Sequence, residues 1–232
     1  MKGCLVALGI LVGLVIAVVA IFWLSFYDFH VRYRLTVEVQ DGDQIKTGSS
    51  VIEVLYDIQP TWSWSGPNNY TRVIGYAPTV DLGEKGMLFL TFVNATRTPD
   101  QRQARNRQFF CAANDMWCLA FAAYGIRAPT GIGPAFAERK PALDKLLHQK
   151  GPRDVPFDML PALETFRDID GRHFYLNPRP ENLAATFGAG VELKHVVLQL
   201  TDDPITSMPN IWPQWLKQAG QEEGTLKGYR ER

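Results

Sequence analysis

Cysteine is scarce in this chain. Three in 232 residues are too few for a disulfide scaffold, and they lack the paired C-x-x-C spacing of a zinc site. Nor is charge of one sign in excess: 24 Lys and Arg balance 24 Asp and Glu, so no overall field draws the protein toward nucleic acid or another polyanion. A nucleophile elbow, a Walker loop and an H-E-x-x-H pair are all missing, and Gly131-Ile-Gly133-Pro is a turn-rich linker, not a dinucleotide fingerprint. His30, His148, His173 and His195 are scattered, and Asp168 and Asp170 before Gly171 lack the rest of a calcium ladder. These absences predict no cofactor, no metal and no nucleic-acid partner.

What is present starts at the N-terminus. After Met1 and Lys2, the run from Gly3 to Tyr27 carries no charged side chain. As a helix rising about 1.5 Å per residue it is long enough to cross a hydrocarbon core of roughly 30 Å. Trp23, Phe26 and Tyr27 gather at its far end and Asp28, Arg32 and Arg34 follow, the order in which interfacial rings and then charges meet water. The run continues past Ala20 through Leu24, which favours a retained transmembrane helix over a signal peptide cleaved near Val18 and Ala20. Residues 1–28 are therefore read as a single-pass anchor and 29–232 as one soluble, strand-rich domain. Lys2 and the terminal amine favour an inside N-terminus, while Arg32 and Arg34 favour the reverse. The signal-like shape of the segment decides for a domain outside the cytoplasm.

Strand signals open the soluble part. Val31, Tyr33, Leu35, Val37 and Val39 alternate with Arg32, Arg34, Thr36, Glu38 and Gln40, the period of a half-buried strand. After the break at Asp41-Gly42-Asp43 and a longer connection through Lys46, Thr47 and Gly48, a second alternating segment runs from Val51 to Ile58. Val73–Leu82 and Met87–Val93 predict a further pair across the glycine-bounded loop at 83–86, with Pro78 confining the first to an edge or a bulge. Leu163–Asp168, His173–Leu176 and Val191–Thr201 complete the strand set, the first two joined by a turn at Asp170-Gly171. The class predicted is α+β: a mainly antiparallel, sandwich-like β domain with a few helices inserted around 98–151.

Thr98-Pro-Asp-Gln101 carries the features of a helix start, and apolar residues from Phe109 to Tyr124 recur at helical spacing until Gly125. Pro141–Lys150 reads as a second, short helix with Leu143, Leu146 and Leu147 inward. Cys111 and Cys118 are seven positions apart. On one continuous helix their backbones would be roughly 10 Å apart, beyond a disulfide's reach. Either the helix is interrupted near Asn114 and Asp115 and a bridge forms, or both are buried free thiols, the reading that a continuous helix favours.

Candidate interaction residues are tryptophans and arginines. Trp62 and Trp64 share one face of a strand, and Trp212 and Trp215 share one face of a helix. Such pairs anchor partners or stack on ligands, although they more often cap a core. Arg102 and Arg105 stand with Arg97 and Arg107 near a helix start, where the macrodipole disfavours cations. Contact with anionic headgroups or an acidic partner would account for them, as would a solvated face paired with nearby acids.

The segments Tyr33-Arg-Leu-Thr-Val-Glu-Val, Thr47-Gly-Ser-Ser-Val-Ile-Glu-Val and Val191-Glu-Leu-Lys-His-Val, with Thr201-Asp-Asp-Pro-Ile-Thr, resemble those of an uncharacterised family of proteobacterial membrane-anchored proteins. The likeness covers both ends of the soluble part and leaves out most of Pro99–Gly151. It implies a bacterial envelope setting and assigns no functional residue; with the orientation read from the first segment, the expectation is an inner-membrane anchor and a periplasmic domain. The function expected is a non-enzymatic protein- or ligand-binding module, touching the membrane through its helix and an envelope partner through its domain. The alternative is a hydrolase whose catalytic residues come from distant segments.

Overall fold

The strict alternation from Val31 to Val39 becomes a long strand because one of its faces is dry. In the computed structural model, which describes residues 2–24, 27–58, 69–93, 116–127, 135–169, 172–218 and 226–227, β1 (Tyr27–Asp41) buries Val31, Tyr33, Leu35, Val37 and Val39. Its polar residues alternate outward. The strand turns back through only two residues, Gly42 and Asp43, into β2 (Gln44–Ile58). Gly42 has φ 59°, in the left-handed region that glycine enters without a Cβ penalty and that tight hairpins use. The second strand thus begins seven residues before Val51, and there is no long connection. Residues 44–47 and 49 are partly or fully exposed, so they lie at the wet end of the hairpin and need no apolar alternation.

β1 is also paired on its other side, with β9 (Val191–Leu200). The register slips at Glu38/Val39, leaving Lys194 as the extra residue of a bulge between two inward-facing sets, Val191 with Leu193 and Val196 with Leu198. With β3 (Asn69–Ile74) and β6 (Arg153–Asp154) at its edges, the first sheet has the order β3-β2-β1-β9-β6. The second sheet is β4 (Thr79–Asp81), β5 (Met87–Leu90), β7 (Leu163–Ile169) and β8 (Arg172–Leu176) in the order β4-β5-β7-β8. Every pairing is antiparallel, and with the few helices this is the α+β class.

The strand expected over Val73–Leu82 is two strands in two sheets. The chain changes sheet at Gly75, which has φ 127° and lies against Ile52, and at Pro78, whose missing N–H suits only an edge. Where the sheets meet, a Cβ on Gly48 would stand 2.1 Å from the Thr79 carbonyl oxygen. Only glycine lets the β2 backbone pass this close to β4.

α2 (Met116–Ala123) buries Cys118, Leu119, Ala120, Phe121 and Ala122 and closes at Gly125, φ 61°, as a glycine C-cap should. The start expected at Thr98 lies outside the described residues. α3 (Ala135–Leu147) begins six residues before Pro141, which sits inside it; the helix gives up one backbone bond there and continues. Leu143 and Leu146 face inward as expected, but Leu147 is 45% exposed, because one further step of about 100° carries it off the buried face. α4 (Ala184–Phe187) and α5 (Gln214–Gln218) are short. One core joins the inner face of the first sheet to α2, α3 and Val80, Leu88, Leu90 and Leu163 of the second. Phe89 points to the other side, into a smaller cluster with Ala77, Trp212, Leu216 and Leu226.

The N-terminal helix α1 (Lys2–Leu24) is different in kind. Its large apolar side chains from Ile10 to Ile21 are all at least half exposed, on every side of the helix. Among the described residues no helix is long and apolar enough to cross a membrane. The described side chains of α1 are those of residues 9–21, a stretch of about 20 Å at 1.5 Å per residue.

Candidate functional site: a polar cleft beside the start of β1

The two-residue turn fixes the register of the β1–β2 hairpin, and that register places Arg32 directly opposite Glu53. His30, two residues earlier, shares their face. Glu53 is a buried acid, its side chain 3% exposed against 49% for His30 and 42% for Arg32. Its carboxylate is satisfied on both oxygens: His30 Nδ1 lies 3.1 Å from Oε1, and Arg32 Nε donates to Oε2. Burial by itself would raise the Glu53 pKa, but the hydrogen bonds from His30 and Arg32, with the charges behind them, hold it below the usual glutamate value. An ionised carboxylate can only accept. His30 Nδ1 therefore carries the proton in this pair, and Nε2 is its second polar atom.

These residues line a cleft of about 550 Å³. Gln149 and Lys150, just past the end of α3, line it on one side, and Gln199, Thr201 and Asp202 at the end of β9 on the other. A single phenol ties the two sides together: Tyr124 donates to the Gly151 carbonyl at 2.7 Å and accepts from the Leu200 amide at 3.3 Å. The Arg153 guanidinium lies 5.7 Å from the centre of the Tyr124 ring, a cation–π distance. The segment after β9 is pinned across the sheet in turn. Thr201 N–H donates to the Arg32 carbonyl, Arg34 donates to Asp203 at 2.7 Å, and Thr206 exchanges two bonds with the Val51 backbone. Hydrogen bonds from Arg34 and then Thr201 keep the Asp203 carboxyl below its ordinary value.

The expected site residues fall elsewhere. Trp62, Trp64, Arg102, Arg105 and Cys111 lie outside the described residues. Trp212 is buried, its Nε1 donating to Thr79 Oγ1 at 2.8 Å and its ring edge-on to Tyr76 and Phe89. Trp215 meets Phe166 edge-on at 5.3 Å in the same aromatic cluster. Both indoles thus join α5 and its approach to the second sheet. Cys118 is buried and disulfide-bonded, not a free thiol. Of the other histidines, His148 Nδ1 meets the Asp144 carbonyl and His195 meets Asp154 at 3.2 Å on the surface. Among the described residues no group of three or more His, Cys, Asp or Glu is arranged to hold a metal.

The His30–Arg32–Glu53 cluster escaped sequence reasoning, although its signal was there. Had the turn been placed at Gly42-Asp43, the register would have set Glu53 against Arg32 between the inward-facing Ile52 and Val54. Comparison with family models, with curated proteins and with solved structures finds no match to this chain.

Proposed function

We propose that the chain is a single-pass, membrane-anchored protein of the bacterial envelope whose α+β domain stands on the periplasmic side as a binding module, with the cleft beside β1 as its binding site. The observation that carries the anchor is α1. The described large side chains of α1, Ile10 to Ile21, are apolar and at least half exposed on every side, and lipid is the solvent that suits such a surface. The full run from Gly3 to Tyr27 is uncharged, and at 23 residues the helix reaches about 35 Å. The disulfide at Cys118 supports an oxidising compartment for the domain. The resemblance to proteobacterial membrane-anchored proteins agrees with that setting. Two measurements test the reading: retention of the chain in the membrane fraction at alkaline pH, and phosphatase and fluorescent reporters fused after Arg232. Release at alkaline pH, or a reporter fluorescent only in the cytoplasm, would overturn the anchor or its orientation respectively.

A second reading, a hydrolase, is favoured by the same His30–Glu53 pair, because a histidine oriented by a buried carboxylate is the arrangement of a general base. Binding is preferred. Arg32 shares that carboxylate, and the one hydroxyl that lines the cleft among the described residues, on Thr201, is engaged with Asp203 at 2.7 Å. Hydrolysis of an activated ester that is lost in His30→Gln and kept in His195→Gln would reverse the preference.

A further inference from the structure

The cleft mixes charges unevenly. Glu53 accepts from two donors at once, so its negative charge is used within the protein, on the floor of the cleft. What it leaves pointing to the open side are donors. Arg32 is bonded to Glu53 through Nε, which leaves the two terminal amino groups of a planar fork suited to bidentate oxyanion binding. Lys150 adds an ammonium that has no ion-pair partner among the described residues. A buried acid whose two partners are each about half exposed acts as a brace: it fixes a guanidinium and an imidazole at the cost of its own desolvation. Asp202 is the one other carboxylate that lines the cleft among the described residues, and it is exposed.

Size and place narrow the anion. A space of about 550 Å³ takes a small polar headgroup, more than a lone halide needs. His30 follows the end of α1 at Leu24 by six residues, so the cleft floor begins no more than about 20 Å of extended chain from the helix end. Where α1 is an anchor, the abundant anions at that height are phosphate esters. The geometry points to a phosphoryl-binding site, in which Arg32 and Lys150 hold the oxygens of a phosphate or phosphate ester. It rests on the reading of this cleft as the domain's binding site.

The test uses the full-length chain in neutral detergent, read by native mass spectrometry against phosphatidylglycerol, phosphatidylcholine and inorganic phosphate. Retention of phosphatidylglycerol about tenfold above phosphatidylcholine, and a loss of about tenfold in Lys150→Gln, are expected, the factor one charge-assisted hydrogen bond carries. The thermal midpoint of Lys150→Gln should not change, since Lys150 is exposed and makes no ion pair among the described residues. Because Arg32→Gln alone strands a Glu53 oxygen, the companion variant is Arg32→Gln/Glu53→Gln, which should lose binding while staying folded. Binding of inorganic phosphate that Lys150→Gln weakens, without preference between the lipids, supports the site and assigns it a soluble ligand. Equal retention of both lipids with no phosphate bound, or binding indifferent to both variants, overturns the inference. Alkaline extraction separates the two claims: a retained chain with no anion preference sinks the phosphoryl site alone, and a released chain that still binds phosphate sinks the anchor alone.

Discussion

Two residues, Ser25 and Phe26, separate α1 from β1, and the two elements dispose of their apolar side chains in opposite ways. In β1 the apolar residues from Val31 to Val39 occur at every second position and are all buried, Tyr33, Leu35 and Val39 completely. In α1 successive residues such as Ile10, Leu11 and Val12 are apolar, and all are exposed. The period of a pattern says where its partner lies. An alternating strand offers one face, and the chain itself supplies the cover through α2, α3 and the second sheet. A helix with no polar face offers all of them, and nothing described in the chain answers.

The largest effect that separates the two regions should come from matched leucines. Leu35→Ala, at a site with no exposure, should cost the folded domain about 2–5 kcal/mol in chemical denaturation. Leu14→Ala, on the exposed helix, should leave that value within about 0.5 kcal/mol. A large loss at Leu14 would mean that α1 packs on the domain and would erase the contrast. Gly48→Ala should come next at about 3 kcal/mol, since the new methyl meets the Thr79 carbonyl, which is backbone and cannot swing aside; a near-neutral melt would show that the sheets separate easily. Val15→Arg tests the other region, with a penalty of about 3 kcal/mol for insertion at mid-helix, read as a larger fraction released at alkaline pH.

The smallest effect concerns the cleft. Glu53→Gln should cost about 2 kcal/mol at neutral pH. Because the folded protein holds the Glu53 pKa below its ordinary value, the stabilisation is complete above that ordinary value and is lost as the pH falls through the lowered one. The acid limb of the stability curve should therefore be flatter in Glu53→Gln than in the parent. Parallel limbs would show that the His30 and Arg32 bonds contribute no linkage.

Much of the first sheet was legible because β1 and β9 bury one face only. β1 and β9 announce themselves by alternation, and even the Lys194 bulge is visible as a break in phase between Leu193 and Val196. The second sheet was less so. β5 buries both faces, Leu88 and Leu90 toward the main core and Phe89 toward the aromatic cluster, so its residues carry no alternation to read. The sheet change at Gly75 was hidden for another reason: apolar residues flank it on both sides, and only the unusual φ of one glycine divides them. The cleft was the least legible, because its members come from positions 30, 53, 150 and 201 and meet only once the register is known. Trp212 and Trp215 show the converse. Their three-residue spacing was visible in the sequence, but Trp212 stands before the first residue of α5, and the two indoles meet different rings of one cluster, Phe89 for Trp212 and Phe166 for Trp215.

The short passage from α1 into β1 has a mechanical consequence. β1 is the central strand, held by β2 along its whole length and by β9 over Tyr33–Asp41. A pull on the helix along the strand axis therefore loads those ladders in shear, so that many hydrogen bonds must yield together instead of opening one after another. Load applied through α1 enters the domain at its central strand, and it would reach the His30–Glu53 brace before any other part of the cleft.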